Sequence, residues 1–264
     1  MGRYGTLFWT LVLLIGAPAA GGEPIDPLTT AAIETDRLGA TVPHDVVLKD
    51  ATGRKLAIGD LLGERPVLLA PVDYECENIC GVTLAGLLGA LDELEWRPGQ
   101  DYDLLVPSID PASTAAGAKA AAAEQLARFK GLAGSGVRFL AGDASALTSA
   151  IGFRYGYDAK TDQYIHPAAV AVVTPEGRLS RWLYGYPFEA SDLRLALIEA
   201  GGGTIGTLGD RLWLLCYGYD PVTGRYTAAV DRLLKAGGGL TVLLLGGFVL
   251  LMLRRERRAS QGGR

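Results

Sequence analysis

Residues 66–94 read PVLLAPVDYECENICGVTLAGLLGALDEL, and this stretch decides the fold. Its first part, 66–72, is a short apolar run of the kind that forms a buried strand. From 82 to 94 apolar residues recur at helical spacing. Cys76 and Cys80 lie between the two. A strand that turns directly into a helix is half of a βα unit, and open α/β sheets place their sites at the C-terminal ends of such strands. Residues four apart share one face of a helical turn, so both sulfurs can point into the same mouth. A helix N-terminus stabilises a thiolate and lowers the cysteine pKa. Two convergent thiols can bind a soft metal, Cu(I) or zinc, or they can cycle between dithiol and disulfide.

Outward from this unit the pattern alternates. Strands are expected at 45–49, 55–58, 102–109 and 137–140, then at 168–173 and 178–184 across the turn Thr174-Pro175-Glu176-Gly177. Helices are expected at 113–129, capped by Ser113 or Thr114, at 144–151, and at 191–200, capped by Ser191. Residues 222–235 read as a further helix. This order is an α/β layout with a mostly parallel sheet and an antiparallel edge. It matches the thioredoxin fold with an added β-hairpin.

The 264 residues carry a net charge of −4 with the two signs interspersed, which argues against a nucleic-acid surface. Arg3, the apolar run 7–16 and Ala17-Pro18-Ala19 read as an export signal over 1–20. Residues 21–41 read as a lead-in linker, 42–200 as the domain and 201–235 as a connecting segment. Residues 236–253 hold no charge and are expected to form a C-terminal transmembrane helix. Arg254, Arg255, Arg257 and Arg258 follow and mark 254–264 as a cytoplasmic tail. Signal and charge bias together place the domain on the periplasmic side of the cytoplasmic membrane.

Three cysteines is an odd number for an exported chain, so at least one does not pair within the molecule. Cys216 lies outside the shared unit and reads as a buried thiol near the membrane. Of the two histidines, His44 reads as a surface residue. His166 precedes the strand at 168–173, and Pro167 restricts its backbone. In a thioredoxin-like layout that hairpin lies beside the first βα turn, so the ring could reach both sulfurs. His166 is then either a third metal ligand, which suits copper in both oxidation states, or an ordinary loop histidine. Asp110 can orient a ligand or simply make the turn before Pro111; the turn is the simpler reading.

Three features carry a resemblance to a known family. They are the C-x-x-x-C of Cys76 and Cys80 behind an apolar strand and Tyr74, the stretch Ser108-Ile109-Asp110-Pro111 with Thr114, and His166 ahead of the hairpin 172–177. Over roughly 42–200 the chain resembles the Sco/SenC copper chaperones for cytochrome c oxidase assembly. It departs from them with Glu77 and Gly81 where the family has proline, Pro167 after the histidine, and Ser113 before the threonine. The resemblance implies copper as the bound metal, with Cys76, Cys80 and His166 as ligands. It implies a metallochaperone whose partner is an oxidase subunit or another copper-receiving protein. The alternative is an enzyme, a thiol-disulfide oxidoreductase with Cys76 and Cys80 as its redox dithiol, which has no need of His166.

Overall fold

The computed structural model describes residues 31–76, 80–132, 136–202, 217–220, 225–228 and 230–261. The expected signal at 1–20, residues 212–215 and Cys216 lie outside the described residues.

In chain order the elements are β1 (Ala32–Ile33), β2 (Val47–Asp50), β3 (Lys55–Ala57), β4 (Val67–Leu69), α1 (Cys80–Asp92), β5 (Asp103–Pro107), α2 (Ala115–Leu126) and β6 (Val137–Ala141). There follow α3 (Ser145–Ala150), β7 (Phe153–Arg154), β8 (Gly156–Asp158), β9 (Gln163–Ile165), β10 (Ala169–Val173), β11 (Leu179–Tyr184) and α4 (Ala190–Ala200). The chain then forms β12 (Tyr217–Asp220), β13 (Arg225–Ala228) and α5 (Val230–Gln261).

The central sheet has seven strands in the order β11-β10-β4-β5-β6-β2-β3. Only β4–β5 and β5–β6 pair in parallel; the other four pairings are antiparallel. The expectation of a mostly parallel sheet is therefore corrected. The single βα and αβ crossovers supply a three-stranded parallel centre, and short turns force a hairpin on each flank.

Successive residues of the central strands feed opposite faces. Leu68 and Ala70 join the cluster under α1, α2 and α4, whereas Val67 and Leu69 join the cluster with Phe153 and Trp182. β5 and β10 divide in the same way, Leu104 and Val170 on one side, Leu105 and Ala171 on the other. A strand covered on both faces has no polar side to show, hence the unbroken apolar runs in the sequence.

Local chemistry sets the remaining boundaries. Thr114 caps α2, its hydroxyl accepting from Gly117 N at 3.1 Å. The β10–β11 turn closes through Gly177 N donating to Thr174 O at 2.9 Å, with Gly177 at φ +75°. The expected cap at Ser191 is corrected: α4 starts one residue earlier, behind Glu189, and makes no side-chain cap. β1 pairs with β7, Ala32 opposite Arg154, which ties the incoming chain to the domain.

Two expectations for the C-terminal part change. Within the helix expected over 222–235, Arg225–Ala228 instead form a strand paired with β12, and helix runs from Val230 onward. The strand residues Tyr217, Tyr219, Tyr226 and Thr227 are aromatic or β-branched, which suits a strand. The transmembrane helix expected at 236–253 is not supported, because among the described residues no helix is long and apolar enough to cross a membrane. α5 does run 32 residues and exposes Leu243, Leu244 and Phe248. Gly237, Gly238, Gly239, Gly246 and Gly247 dilute that apolar surface.

Candidate functional site

β4 carries the chain to the site. Beyond Leu69 it stays joined to β5, with Val72 N donating to Pro107 O at 3.1 Å and Ile109 N donating to Val72 O at 2.9 Å. The strand ends there because Asp73 folds its carboxylate back, Oδ1 accepting from Glu75 N at 3.0 Å. Tyr74 then pins the loop. Its hydroxyl reaches across the sheet end to the carbonyl oxygens of Val106 and Leu140, and accepts from Leu140 N at 2.9 Å. The ring packs on Phe139 at 5.9 Å between centroids, and burial pushes the phenol pKa up. Tyr74 is a site residue whose structural task the sequence reading missed; a buried aromatic polar group two residues before a cysteine was the available signal.

Cys76 follows, half-buried, with a free thiol. Cys80 opens α1, at the positive end of that helix; its side chain lies outside the described residues. Cys76 lies where two cavities meet. The inner one, about 60 Å³, is lined by Val72, Asp73, Tyr74, Leu84 and Gln125. The outer one is an open groove of about 540 Å³ that crosses α1 at Gly81, Val82, Ala85 and Gly86, from Arg128 just past the end of α2 to Tyr186.

His166 arrives from the other side. β10 pairs antiparallel with β4, Ala171 opposite Leu69, so the chain entering β10 comes in beside the chain leaving β4. His166 and Pro167 accordingly share a small cavity with Pro71, Val72, Thr83 and Leu84. Its Nδ1 lies 3.0 Å from Pro167 O, a contact that fits the tautomer protonated at Nδ1 and leaves the Nε2 lone pair free to accept. Phe153 packs against the ring at 6.0 Å. Burial holds the His166 pKa below its ordinary value, while the Pro167 carbonyl and the Asp73 charge pull the other way.

His166 and Cys76 thus stand on opposite sides of the Val72–Leu84 pair. Both cavities share those two residues, and neither holds both functional side chains. Among the described residues, no group of three His, Cys, Asp or Glu is arranged to hold a metal ion. Asp110 makes the turn, with Ala112 N donating to its Oδ1 at 2.9 Å, and its carboxylate also meets the Tyr164 hydroxyl. His44 is exposed, as expected.

No protein-family model and no curated protein matches the sequence. Solved structures do match. Two proteins of Aquifex aeolicus VF5, provisionally assigned to electron transfer and electron transport, are 27% and 28% identical, with TM-scores of 0.56 and 0.53. The matches cover 63% and 62% of this chain, and 96% and 99% of theirs. BsSco, a member of the Sco family of cytochrome c oxidase assembly proteins in which a disulfide switch was identified, is 20% identical with a TM-score of 0.51, over 66% of this chain and 99% of its own. The mixed sheet, the cysteine loop behind β4 and the histidine ahead of β10 therefore sit on the thioredoxin-like fold of the Sco family.

Proposed function

We propose that this chain is a divergent Sco/SenC protein that carries copper as cargo, held by Cys76, Cys80 and His166. The observation that carries the reading is the antiparallel β4–β10 pairing, which brings the cysteine loop and the histidine loop to the same end of the sheet. Thiolates and an imidazole are the donor set for a metal that alternates between Cu(I) and Cu(II). Closing the site requires the two loops to come together across Val72 and Leu84. The recipient is a copper-binding partner such as an oxidase subunit, which takes the ion by ligand exchange at Cys76. The export signal read in 1–20 puts this exchange outside the cytoplasm.

The test uses the full chain purified under reducing conditions and titrated with Cu(I) and Cu(II). Binding of one copper per chain, with sulfur-to-copper charge-transfer absorption for Cu(II), is expected. Absence of copper uptake overturns the reading.

One observation favours a second function. Cys76 is a free thiol open to a broad groove, and among the described residues the cavities that Cys76 lines do not include His166. A thiol-disulfide oxidoreductase needs only the Cys76–Cys80 pair. Reduction of a disulfide substrate by the His166→Ala variant at the wild-type rate, with no copper bound by either protein, selects this alternative.

A further inference from the structure

β8 and β9 stand apart from the central sheet. They pair with each other, Tyr157 opposite Tyr164, as a separate two-stranded ribbon. Such a ribbon is marginally stable alone, so side chains must fasten it to the domain. Its inner rings do this. Tyr155 lies 6.2 Å from the buried Phe153 between ring centroids, and both Tyr155 and Tyr164 pack against the core cluster around Phe153 and Trp182. The row of rings then continues outward. Tyr164 meets Tyr155 edge-on at 5.8 Å and Tyr157 at 5.2 Å, and Tyr157, at the end of the row, is 49% exposed. Core packing accounts for the first two tyrosines and leaves the third without a task.

The charges beside the row are mostly negative. The Tyr157 hydroxyl donates to Asp162 Oδ1, and the Asp110 carboxylate meets the Tyr164 hydroxyl. Asp158 stands in the ribbon turn, its Oδ1 accepting from Lys160 N at 2.9 Å. Lys160 is the single cation in the sequence of the ribbon, and Arg154 before it is paired with Glu34 at 3.5 Å. Three carboxylates therefore face one ammonium. A tyrosine ring is already electron-rich on its faces, and donating its hydroxyl to a carboxylate makes it more so.

We propose that the tyrosine face of the β8–β9 ribbon docks an arginine-bearing segment of a protein partner. A guanidinium stacks on an aromatic face, is weakly hydrated and pairs with carboxylates in its own plane, so it fits this surface better than an ammonium does. Exposed tyrosine is also a residue type enriched where proteins meet. β9 runs straight into His166, so a partner held here lies beside the candidate site. No metal takes part in the docking, and the proposal stands apart from the copper reading.

The experiment titrates the metal-free full chain with a peptide of alternating glycine and arginine, its lysine counterpart and a glycine–serine peptide, following the tyrosine ring signals by NMR. The arginine peptide should bind most tightly and shift Tyr157 and Tyr164, with the glycine–serine peptide inert. Tyr157→Leu should weaken arginine-peptide binding by about threefold, the effect of one exposed cation–π contact, whereas Tyr157→Phe keeps the ring and should bind within about twofold of the wild type. Lys160→Glu should strengthen binding by about threefold at low salt and lose that gain at high salt. A gain of this kind cannot come from a misfolded ribbon. Wild-type affinity in either Tyr157→Leu or Lys160→Glu overturns the proposal and leaves only a diffuse attraction between an acidic chain and a cation. Equal binding of the glycine–serine peptide assigns the ribbon to strand pairing and also overturns it, as does the absence of any binding. The copper titration decides nothing here, so the two readings fail separately.

Discussion

The Tyr74 hydroxyl accepts the amide N–H of Leu140 at 2.9 Å, joining the cysteine loop to the end of β6 across 66 residues of chain. The same oxygen meets the carbonyls of Val106 and Leu140. The last rungs of the parallel sheet are therefore closed by a side chain from the site itself. Tyr74→Phe keeps the ring on Phe139 but leaves a buried N–H without its acceptor. That should cost about 1–3 kcal/mol, read as a lower urea midpoint. Copper uptake and thiol reactivity should become more heterogeneous in the same variant. A midpoint equal to the wild type would show that the loop is held by other contacts.

His166 gives the site a pH signature. Burial lowers its folded pKa below 6.5, the value of the unfolded chain. As pH falls through about 6.5 the unfolded chain therefore takes a proton that the folded protein resists, and stability declines until the folded pKa is passed. Urea midpoints at pH 7.5, 6.5 and 5.5 should drop for the wild type. The drop should be smaller in His166→Gln, which cannot charge. Equal slopes in the two proteins would remove His166 as the cause.

Much of this architecture was legible before any coordinates. The apolar runs at 66–72 and 168–173 announced strands buried on both faces, because period and composition record burial directly. The cysteine loop was legible for the same reason: strand, loop and helix are local features. What escaped was non-local. Sheet direction depends on which strand lies beside which, so β10 could be placed beside β4 but the total of antiparallel pairings could not be counted. The hairpin of β12 and β13 was misread because each strand is only four residues long, too short for a period to tell strand from helix despite its aromatic and β-branched residues. The structural task of Tyr74 escaped because its hydrogen-bond partners, Val106 and Leu140, are distant in sequence.

Gly152 fastens the incoming segment to the domain. Its φ of +76° is one that side chains rarely adopt, and a Cβ there would lie 2.8 Å from Glu34 Cβ and 3.0 Å from Glu34 O. Its carbonyl also accepts from Glu34 N at 2.8 Å. Gly152→Ala should cost more than about 1 kcal/mol and loosen residues 32–37, since both the backbone strain and the contact oppose it. Limited proteolysis should cut the variant near that segment faster than the wild type. Cleavage at the wild-type rate would mean that β1 holds without this contact.

Cys76 borders a groove of about 540 Å³ crossing α1, which sets how a reagent reaches its sulfur. The groove owes its width to small residues, Gly81, Ala85 and Gly86, with Tyr186 laid over Gly86. A large side chain at position 85 should obstruct the approach without touching the sulfur. Ala85→Trp should therefore slow modification of Cys76 by a bulky maleimide by about tenfold, while a small alkylating agent reacts at nearly the wild-type rate, because thiolate character governs both reactions and only access differs. Cys216 and Cys80 are replaced by serine in both proteins so that the rate reports one thiol. If both reagents slow equally, the substitution has disturbed the loop. If neither slows, partners reach Cys76 from another direction.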